Sequence, residues 1–465
     1  MRRLHQLLDH VAVVPAPVLH PDHEGTGNRE LLYAAVDRML LSRDPKADGP
    51  VPLPLPVLQS QGAHLLSGIP LDLPSTGLGD SGALDALAAS TFGGSAQLHH
   101  PGYFAHMDPP TPAVAMAAAL WQASTNQNML HPDAAPSARG LERRVVQWLA
   151  PFFGMDGGHL VPGSTVANLT ALWAARDIRG AKRVIASDKC HLSMPKAAKI
   201  LGMEFVSAPT DASHRMQDLA QFGDLSETVV VLTAGTVATG AIDPLPLPVV
   251  LLPNGATSSS GTGSIGGASS SQPAWIHVDA AWAAPLRFTD QQSHLLDDVQ
   301  HADSVGFSCH KWLYQPKGVG AIMFKDSAAA HAALSFGGGY LSAPNVGVVG
   351  SAPASALPLA ATLLAWGQQG LAKRIEDDLE KAKALCRLIE QDERFELWAG
   401  GGSTAGATGV VVWRPRNVPA AEVRDRLRGA WVSLTEIDGE RWLRCVSANP
   451  SADPERVFAA VVAAL

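Results

Sequence analysis

Residues 275–282 read Trp-Ile-His-Val-Asp-Ala-Ala-Trp, and this stretch is the clearest indication of the fold class. The apolar run over residues 275–278 predicts a buried strand, and Asp279 stands where that strand ends. A charge at this place is costly unless a partner neutralises it, so Asp279 is a candidate for binding a cationic group. The alternative is an aspartate that caps a helix, which is common. Ala281 is small enough to let a flat group lie against the chain.

Short apolar runs on both sides of this stretch alternate with helical segments. We predict further strands over residues 183–186, 204–207, 228–233, 249–252, 304–308 and 320–324. This alternation is typical of the α/β class, with a mainly parallel sheet covered by helices. The Gly/Ser-rich residues 255–273 have the composition of a flexible surface insertion.

Composition and pattern divide the chain into three regions. We expect an N-terminal arm or packing segment over residues 1–98, a large domain over 99–350 and a small C-terminal α+β domain over 351–465. With 46% hydrophobic and 17% charged residues, the chain is far from the composition of a disordered protein.

Several classes of partner and location are excluded by pattern. The net charge is −8 and no long basic run occurs, so nucleic acid is not an expected partner. No signal peptide and no run of eighteen apolar residues is found, which predicts no membrane span. The scattered cysteines predict free thiols in a reducing cytoplasm. The histidines fit no common ligand spacing, and we expect no metal site.

Lys311 follows another predicted strand, in Ser308-Cys309-His310-Lys311-Trp312. Strand ends in α/β sheets are where ligands collect. Upstream, Gly163, Ser164 and Thr165 precede a strong helical run and offer N–H and hydroxyl donors at a positive helix end. A lysine, a carboxylate and a phosphate cradle are what a pyridoxal 5'-phosphate (PLP) enzyme requires. Taken singly, these residues also fit a surface lysine and an ordinary helix cap.

Two more candidates follow predicted strands. His191 lies in Ser187-Asp188-Lys189-Cys190-His191 and could stack on a flat ring. Thr236 lies in Thr233-Ala234-Gly235-Thr236 and could reach the phenolic oxygen of such a ring. The alternatives are a structural histidine and a turn threonine.

Together these segments resemble the group II PLP-dependent decarboxylases of the fold-type I superfamily, from about residue 100 to about residue 450. Five blocks match in order: residues 163–169; Ser187, His191, Ser193, Lys196 and Ala197; Gly235, Thr236, Gly240 and Asp243; residues 277–281; and Ala302, Asp303, Ser304, His310, Lys311 and Trp312. Ser164 and Val166 stand where the family has Gly and Glu.

The resemblance implies a fold, a reaction and residue roles. It implies a seven-stranded PLP-dependent transferase-like domain and a lyase that decarboxylates an L-amino acid to the amine and CO2, acting as a cytoplasmic homodimer. The implied catalytic residues are Lys311 as Schiff-base lysine, Asp279 as pyridinium partner, His191 stacked on the ring and Thr236 near the departing carboxylate. The implied cofactor-binding set is Gly163, Ser164, Thr165, His191, Thr236, Asp279, Ala281, Ser308, His310 and Lys311. Tyr103 and Phe104 would line the substrate pocket.

One segment departs from the family. Many members carry a mobile loop whose tyrosine protonates the substrate carbon after CO2 leaves, but residues 341–350 are short and contain no tyrosine. Tyr340, just before them, is the nearest candidate for that pocket. The departure leaves room for an aldehyde-forming oxidative decarboxylase-deaminase or an aminotransferase, for which Arg444 would be the carboxylate clamp. A non-catalytic dimer of the same fold is a third hypothesis, against which Lys311 and Asp279 argue.

Overall fold

The computed structural model describes residues 25–43, 66, 68–217, 219–245, 272–398, 400 and 406–465. Contacts divide the chain into two units, Met1–Gln97 and Leu98–Leu465. Within the first unit, helices α1 (Gly25–Ser42) and α2 (Gly79–Ala88) are in contact, and Arg38 forms a salt bridge with Asp85. The elements described next belong to the second unit.

A seven-stranded sheet forms the centre of the second unit. Its strands are β1 (Gly157–Val161), β2 (Arg183–Ser187), β3 (Glu204–Ala208), β4 (Thr228–Thr233), β5 (Trp275–Asp279), β6 (Ser304–Ser308) and β7 (Gly320–Phe324). They lie in the order β1-β7-β6-β5-β4-β2-β3. The β2–β6 strands pair in parallel, whereas β7 is antiparallel to both of its neighbours. The prediction of a mainly parallel α/β sheet is confirmed.

Helices cover both faces of this sheet. Helix α3 (Ala113–Thr125) packs on the long α8 (Ala356–Glu390), and the strands are contacted by α4 (Ala138–Leu149), α5 (Ser164–Arg179), α6 (Ser193–Leu201) and α7 (Ser327–Ala333). Alternate residues of β4 join opposite hydrophobic clusters, Val230 and Leu232 on one face and Val229 and Val231 on the other. The strands are therefore apolar throughout, as expected for a sheet buried on both sides. Helix α8 is kinked at Gly367, where φ is 63°.

A small antiparallel sheet follows near the C-terminus. It contains β10 (Phe395–Leu397), β11 (Val410–Pro415), β12 (Ser433–Ile437) and β13 (Glu440–Val446), accompanied by α9 (Ala420–Arg426) and α10 (Pro454–Ala463). A short hairpin, β8 (Ser335–Phe336) and β9 (Asn345–Val346), lies between the two sheets in the chain. The α+β character of the C-terminal region is confirmed, while the boundary at residue 350 stays a prediction.

One predicted strand lies outside the described residues, and one observed strand was not predicted. The predicted strand 249–252 and most of the Gly/Ser-rich segment lie outside the described residues. Strand β1 was not expected, because it begins with two glycines. Gly158 has a φ of 155°, and a Cβ there would collide with the carbonyl oxygen of Ile322 on β7. Among the described helices, none is long and apolar enough to cross a membrane.

Candidate active site

Asp279 lies at the carboxyl end of β5 and is 2% exposed. Its Oδ2 accepts a hydrogen bond from Asn168 Nδ2 at 3.0 Å, and its Oδ1 accepts one from the Ala281 backbone N–H at 3.1 Å. Within the described part of the chain, Asp279 forms no salt bridge. Burying a carboxylate without a cationic partner is unfavourable, so Asp279 is suited to binding a cationic group.

A chain of buried hydrogen bonds leads from β5 and β6 to Asn168. Trp275 Nε1 donates to Ser304 Oγ at 2.8 Å, Ser304 Oγ lies 2.9 Å from His277 Nδ1, and His277 Nε2 lies 3.0 Å from Asn168 Oδ1. The carboxamide oxygen of Asn168 can only accept, so His277 donates from Nε2, and Ser304 donates its own proton to Nδ1. Burial lowers the pKa of His277 to about 4, which leaves the ring with one proton, as this order requires.

Asn168 also connects Asp279 with His191. Its amide group donates to Ser193 Oγ at 2.9 Å, and that hydroxyl lies 2.9 Å from His191 Nδ1. The Ser193 backbone N–H donates to the same nitrogen at 3.2 Å. Nδ1 is therefore an acceptor, and His191 carries its proton on Nε2.

Lys311 shares this electrostatic environment. Burial lowers the pKa of Lys311, and the Asp279 carboxylate acts in the opposite direction. The same two influences act in the same order on the pKa of His191. No hydrogen bond or salt bridge engages the Lys311 amine within the described residues. An amine with a lowered pKa and no partner is suited to nucleophilic attack.

The predicted phosphate loop opens helix α5. Gly163 is the N-cap with a φ of 94°, and a Cβ at this position would lie 2.9 Å from His310 Cε1. Ser308 Oγ donates to Ser164 Oγ at 2.9 Å, and Thr165 is exposed beside them. The site thus joins hydroxyl groups to the positive end of a 16-residue helix, which suits an anion.

His310 and Thr236 are each engaged locally. His310 Nδ1 donates to the Val319 carbonyl at 2.8 Å, and burial lowers the pKa of His310 to about 4, so the neutral ring has no second proton for a phosphate. Thr236 Oγ1 accepts from the Ala241 N–H at 3.0 Å and lies 3.0 Å from Thr239 Oγ1. The roles predicted for these two side chains stay predictions.

The three predicted substrate-pocket residues lie in different environments. Phe104 has no exposed surface and packs with Val411 and Trp413 in the core around the small sheet, and its place in the substrate pocket stays a prediction. Tyr103 is also buried, and its backbone forms an isolated parallel β-bridge with Trp431. Tyr340 is 75% exposed, with its ring 6.5 Å from that of His131.

Arg444 on β13 is a functional candidate that the sequence indicated only as a possible clamp. It is 5% exposed, its Nη1 donates to Ser433 Oγ at 3.3 Å, and its Nε has no hydrogen-bond partner among the residues that the structure describes. Burial lowers the pKa of Arg444 to about 10, so the group stays cationic at neutral pH. Burial lowers the pKa of Lys311 and of His106, and the Arg444 charge acts on both in the same direction.

The His277 chain predicts a pH-dependent stability. Unfolded His277 takes up a proton near pH 6.5, whereas the folded pKa is about 4. Between these values the unfolded state binds more protons, so the contribution of His277 to stability is complete above pH 6.5 and is lost as the pH falls towards 4. The free energy of unfolding is measured with urea at pH 7 and at pH 5. From pH 7 to pH 5, we expect the free energy of unfolding to fall by about 2 kcal/mol more in the wild type than in His277→Gln. The exposed His294→Gln should match the wild type; equal losses in all three proteins would contradict the argument.

No group of three or more His, Cys, Asp or Glu side chains in the described ranges could hold a metal ion.

Comparison with known proteins gives a consistent assignment. The family model of the pyridoxal-dependent decarboxylase conserved domain matches residues 91–414. L-2,4-diaminobutyrate decarboxylase of Rhizobium meliloti is 29% identical over 427 residues, which cover 83% of this chain and 81% of that protein. Aspartate 1-decarboxylase of Aliivibrio fischeri is 27% identical over 369 residues, covering 68% and 64%.

The fold agrees as well. A crystal structure of Oryza sativa TDC with PLP and tryptamine matches with a TM-score of 0.78 at 22% identity, covering 96% of this chain and 98% of the other. These findings confirm the predicted resemblance, the lyase class and the PLP cofactor. From its matching domain, its relatives and its fold, we conclude that the chain belongs to the pyridoxal-dependent decarboxylase family.

Proposed function

We propose that the protein decarboxylates an L-amino acid to the corresponding amine and CO2. The observation that supports this most is that a buried Asp279 and the amine of Lys311, neither with a salt bridge among the described residues, influence each other's surroundings at one edge of the sheet. The family placement does not favour the aminotransferase or aldehyde-forming alternatives. The homodimer and the cytoplasmic location remain predictions from the resemblance.

The residues of the site fit PLP. Lys311 would hold it covalently, Asp279 would pair with its ring nitrogen, and the α5 N-terminus with Ser164 and Ser308 would bind its phosphate. When bound, PLP supplies an electron sink for the bond that breaks at the substrate Cα. The Asn168 contact holds the Asp279 carboxylate in place, so that it would be oriented towards the ring nitrogen.

A screen for CO2 release across the amino acids tests the proposal. We expect the purified protein to release CO2 and the matching amine from at least one of them, and borohydride to fix PLP on Lys311. Lys311→Ala should keep some PLP through the phosphate contacts but should form no reducible bond and no product. Attachment to another lysine, or no CO2 from any amino acid, would contradict the proposal.

Arg444 is the group that we propose for an anionic end of the substrate. Its free Nε is a donor on a buried cation near Lys311, and such a donor gains most from a carboxylate. We expect Arg444→Lys to raise KM at least tenfold, since the planar donor pair is lost while the charge remains. Arg441→Lys, on the exposed end of the same strand, is the matched control. A KM within twofold of wild type would remove Arg444 from this role.

His191 is the group that we propose for protonating the substrate carbon after CO2 has left. Its Nε2 carries a proton while Ser193 holds Nδ1, whereas Tyr340 is largely exposed. His191→Phe keeps a flat ring but removes the proton, and we expect it to form amine at least 100-fold more slowly, within the usual range for an acid catalyst. Tyr340→Phe should stay within threefold of wild type. The reverse pattern of losses would assign the proton to Tyr340.

A further inference from the structure

The turn that carries Lys311 closes on itself immediately after the lysine. The Tyr314 backbone N–H donates to the Lys311 carbonyl at 2.9 Å, and Tyr314 has a φ of 61°. A left-handed conformation is unfavourable for a residue with a large side chain, and it persists only where the surroundings impose it. Both Trp312 and Tyr314 are buried, at 0% and 1% exposure.

One carboxylate outside the turn receives both of these side chains. Asp378, on helix α8, is 1% exposed. Its Oδ2 accepts a hydrogen bond from Trp312 Nε1 at 3.1 Å and another from the Tyr314 hydroxyl at 2.5 Å. Its Oδ1 lies 3.4 Å from Lys381 Nζ, which also donates to the carbonyls of Asn449 and Pro450.

The same contact reaches the turn that follows Asp279. Trp312 stacks on Trp282 with ring centroids 4.5 Å apart and an angle of 7° between the rings. Trp282 lies three residues after Asp279 and is held at its other end, since its Nε1 donates to the Thr408 carbonyl at 2.8 Å. A shift of Trp312 would therefore disturb the segments that carry both the lysine and the carboxylate of the site.

An apolar side chain on α8 would fill this space without the desolvation that an ionised carboxylate suffers. What the carboxylate provides is direction, because two donors from one turn converge on one oxygen atom. Trp312 and Tyr314 have no other side-chain hydrogen bond among the described residues, so removal of Asp378 would leave both donors buried without an acceptor.

We propose that Asp378 is a positioning residue, which fixes the Lys311 turn through Trp312 and Tyr314 and thereby sets the place of the Lys311 amine opposite Asp279. The inference rests on the proposed function, in that Lys311 is taken as the site of PLP attachment. It concerns the rate at which the lysine reacts and not the binding of the phosphate, since the α5 N-terminus is a separate part of the site.

The test measures covalent attachment apart from turnover. PLP is added to the ligand-free protein, and the lysine-bound fraction is trapped with borohydride at intervals and quantified on the Lys311 peptide by mass spectrometry. We expect attachment in Asp378→Ala to be at least tenfold slower than in wild type, with the phosphate affinity measured by competition with inorganic phosphate unchanged. Asp378→Asn, whose remaining oxygen can still accept from Trp312 and Tyr314, should recover most of the rate.

Two further variants separate positioning from a general loss of structure. Lys381→Met removes the cation beside Asp378 but leaves both turn contacts, and should attach PLP at the wild-type rate. Tyr314→Phe removes only the shorter contact and should slow attachment severalfold even if Asp378→Ala does not fold. Wild-type rates in a folded Asp378→Ala or in Tyr314→Phe would overturn the inference. Absence of PLP from Lys311 in the wild-type protein would instead overturn the proposed function.

Discussion

The site depends on one buried carboxylate that has no cation of its own. Strands β5 and β6 are adjacent and parallel, with Asp279 in register with Gly306, so Asp279 and the turn after Ser308 emerge at one edge of the sheet. Asn168 holds the carboxylate from helix α5, which also supplies the anion-binding end of the site. The sheet and helix α5 thus carry a carboxylate and a positive helix end, which we propose would pair with the ring nitrogen and the phosphate of PLP.

The hydrogen-bond chain behind Asp279 gives that carboxylate a single orientation. Asn168 Oδ1 can only accept, and this fixes the direction of each bond back through His277 and Ser304 to Trp275. A buried polar chain is useful only if every member is satisfied, and here Trp275 donates, while Ser304, His277 and Asn168 each both donate and accept. Strand β13 of the small sheet carries Arg444, and Asp378 of helix α8 accepts hydrogen bonds from the turn that carries Lys311.

Much of this could be predicted from the sequence, and the remainder has physical reasons. The central strands were found because they are apolar on both faces, and Asp279 and Lys311 were predicted as site residues because they lie at the end of such a strand or shortly after it. Strand β1 was missed since glycine carries no strand signal, although close packing on β7 requires Gly158. Hydrophobic periodicity could not predict the His277 hydrogen bonds. A histidine inside an apolar strand is the one signal in the sequence, but its partners Asn168 and Ser304 lie on different elements.

The unpaired Nε of Arg444 has a thermodynamic consequence. A buried donor without an acceptor raises the free energy of the ligand-free protein by about 1–3 kcal/mol. An anion that accepts this proton removes the defect, so part of the binding free energy comes from relief of an unfavourable state that already exists. Binding and folding are then linked, because any molecule that satisfies the native arginine and ignores the unfolded chain makes the protein harder to unfold. The abundance of its own ligand would in this way help to determine how long the protein survives.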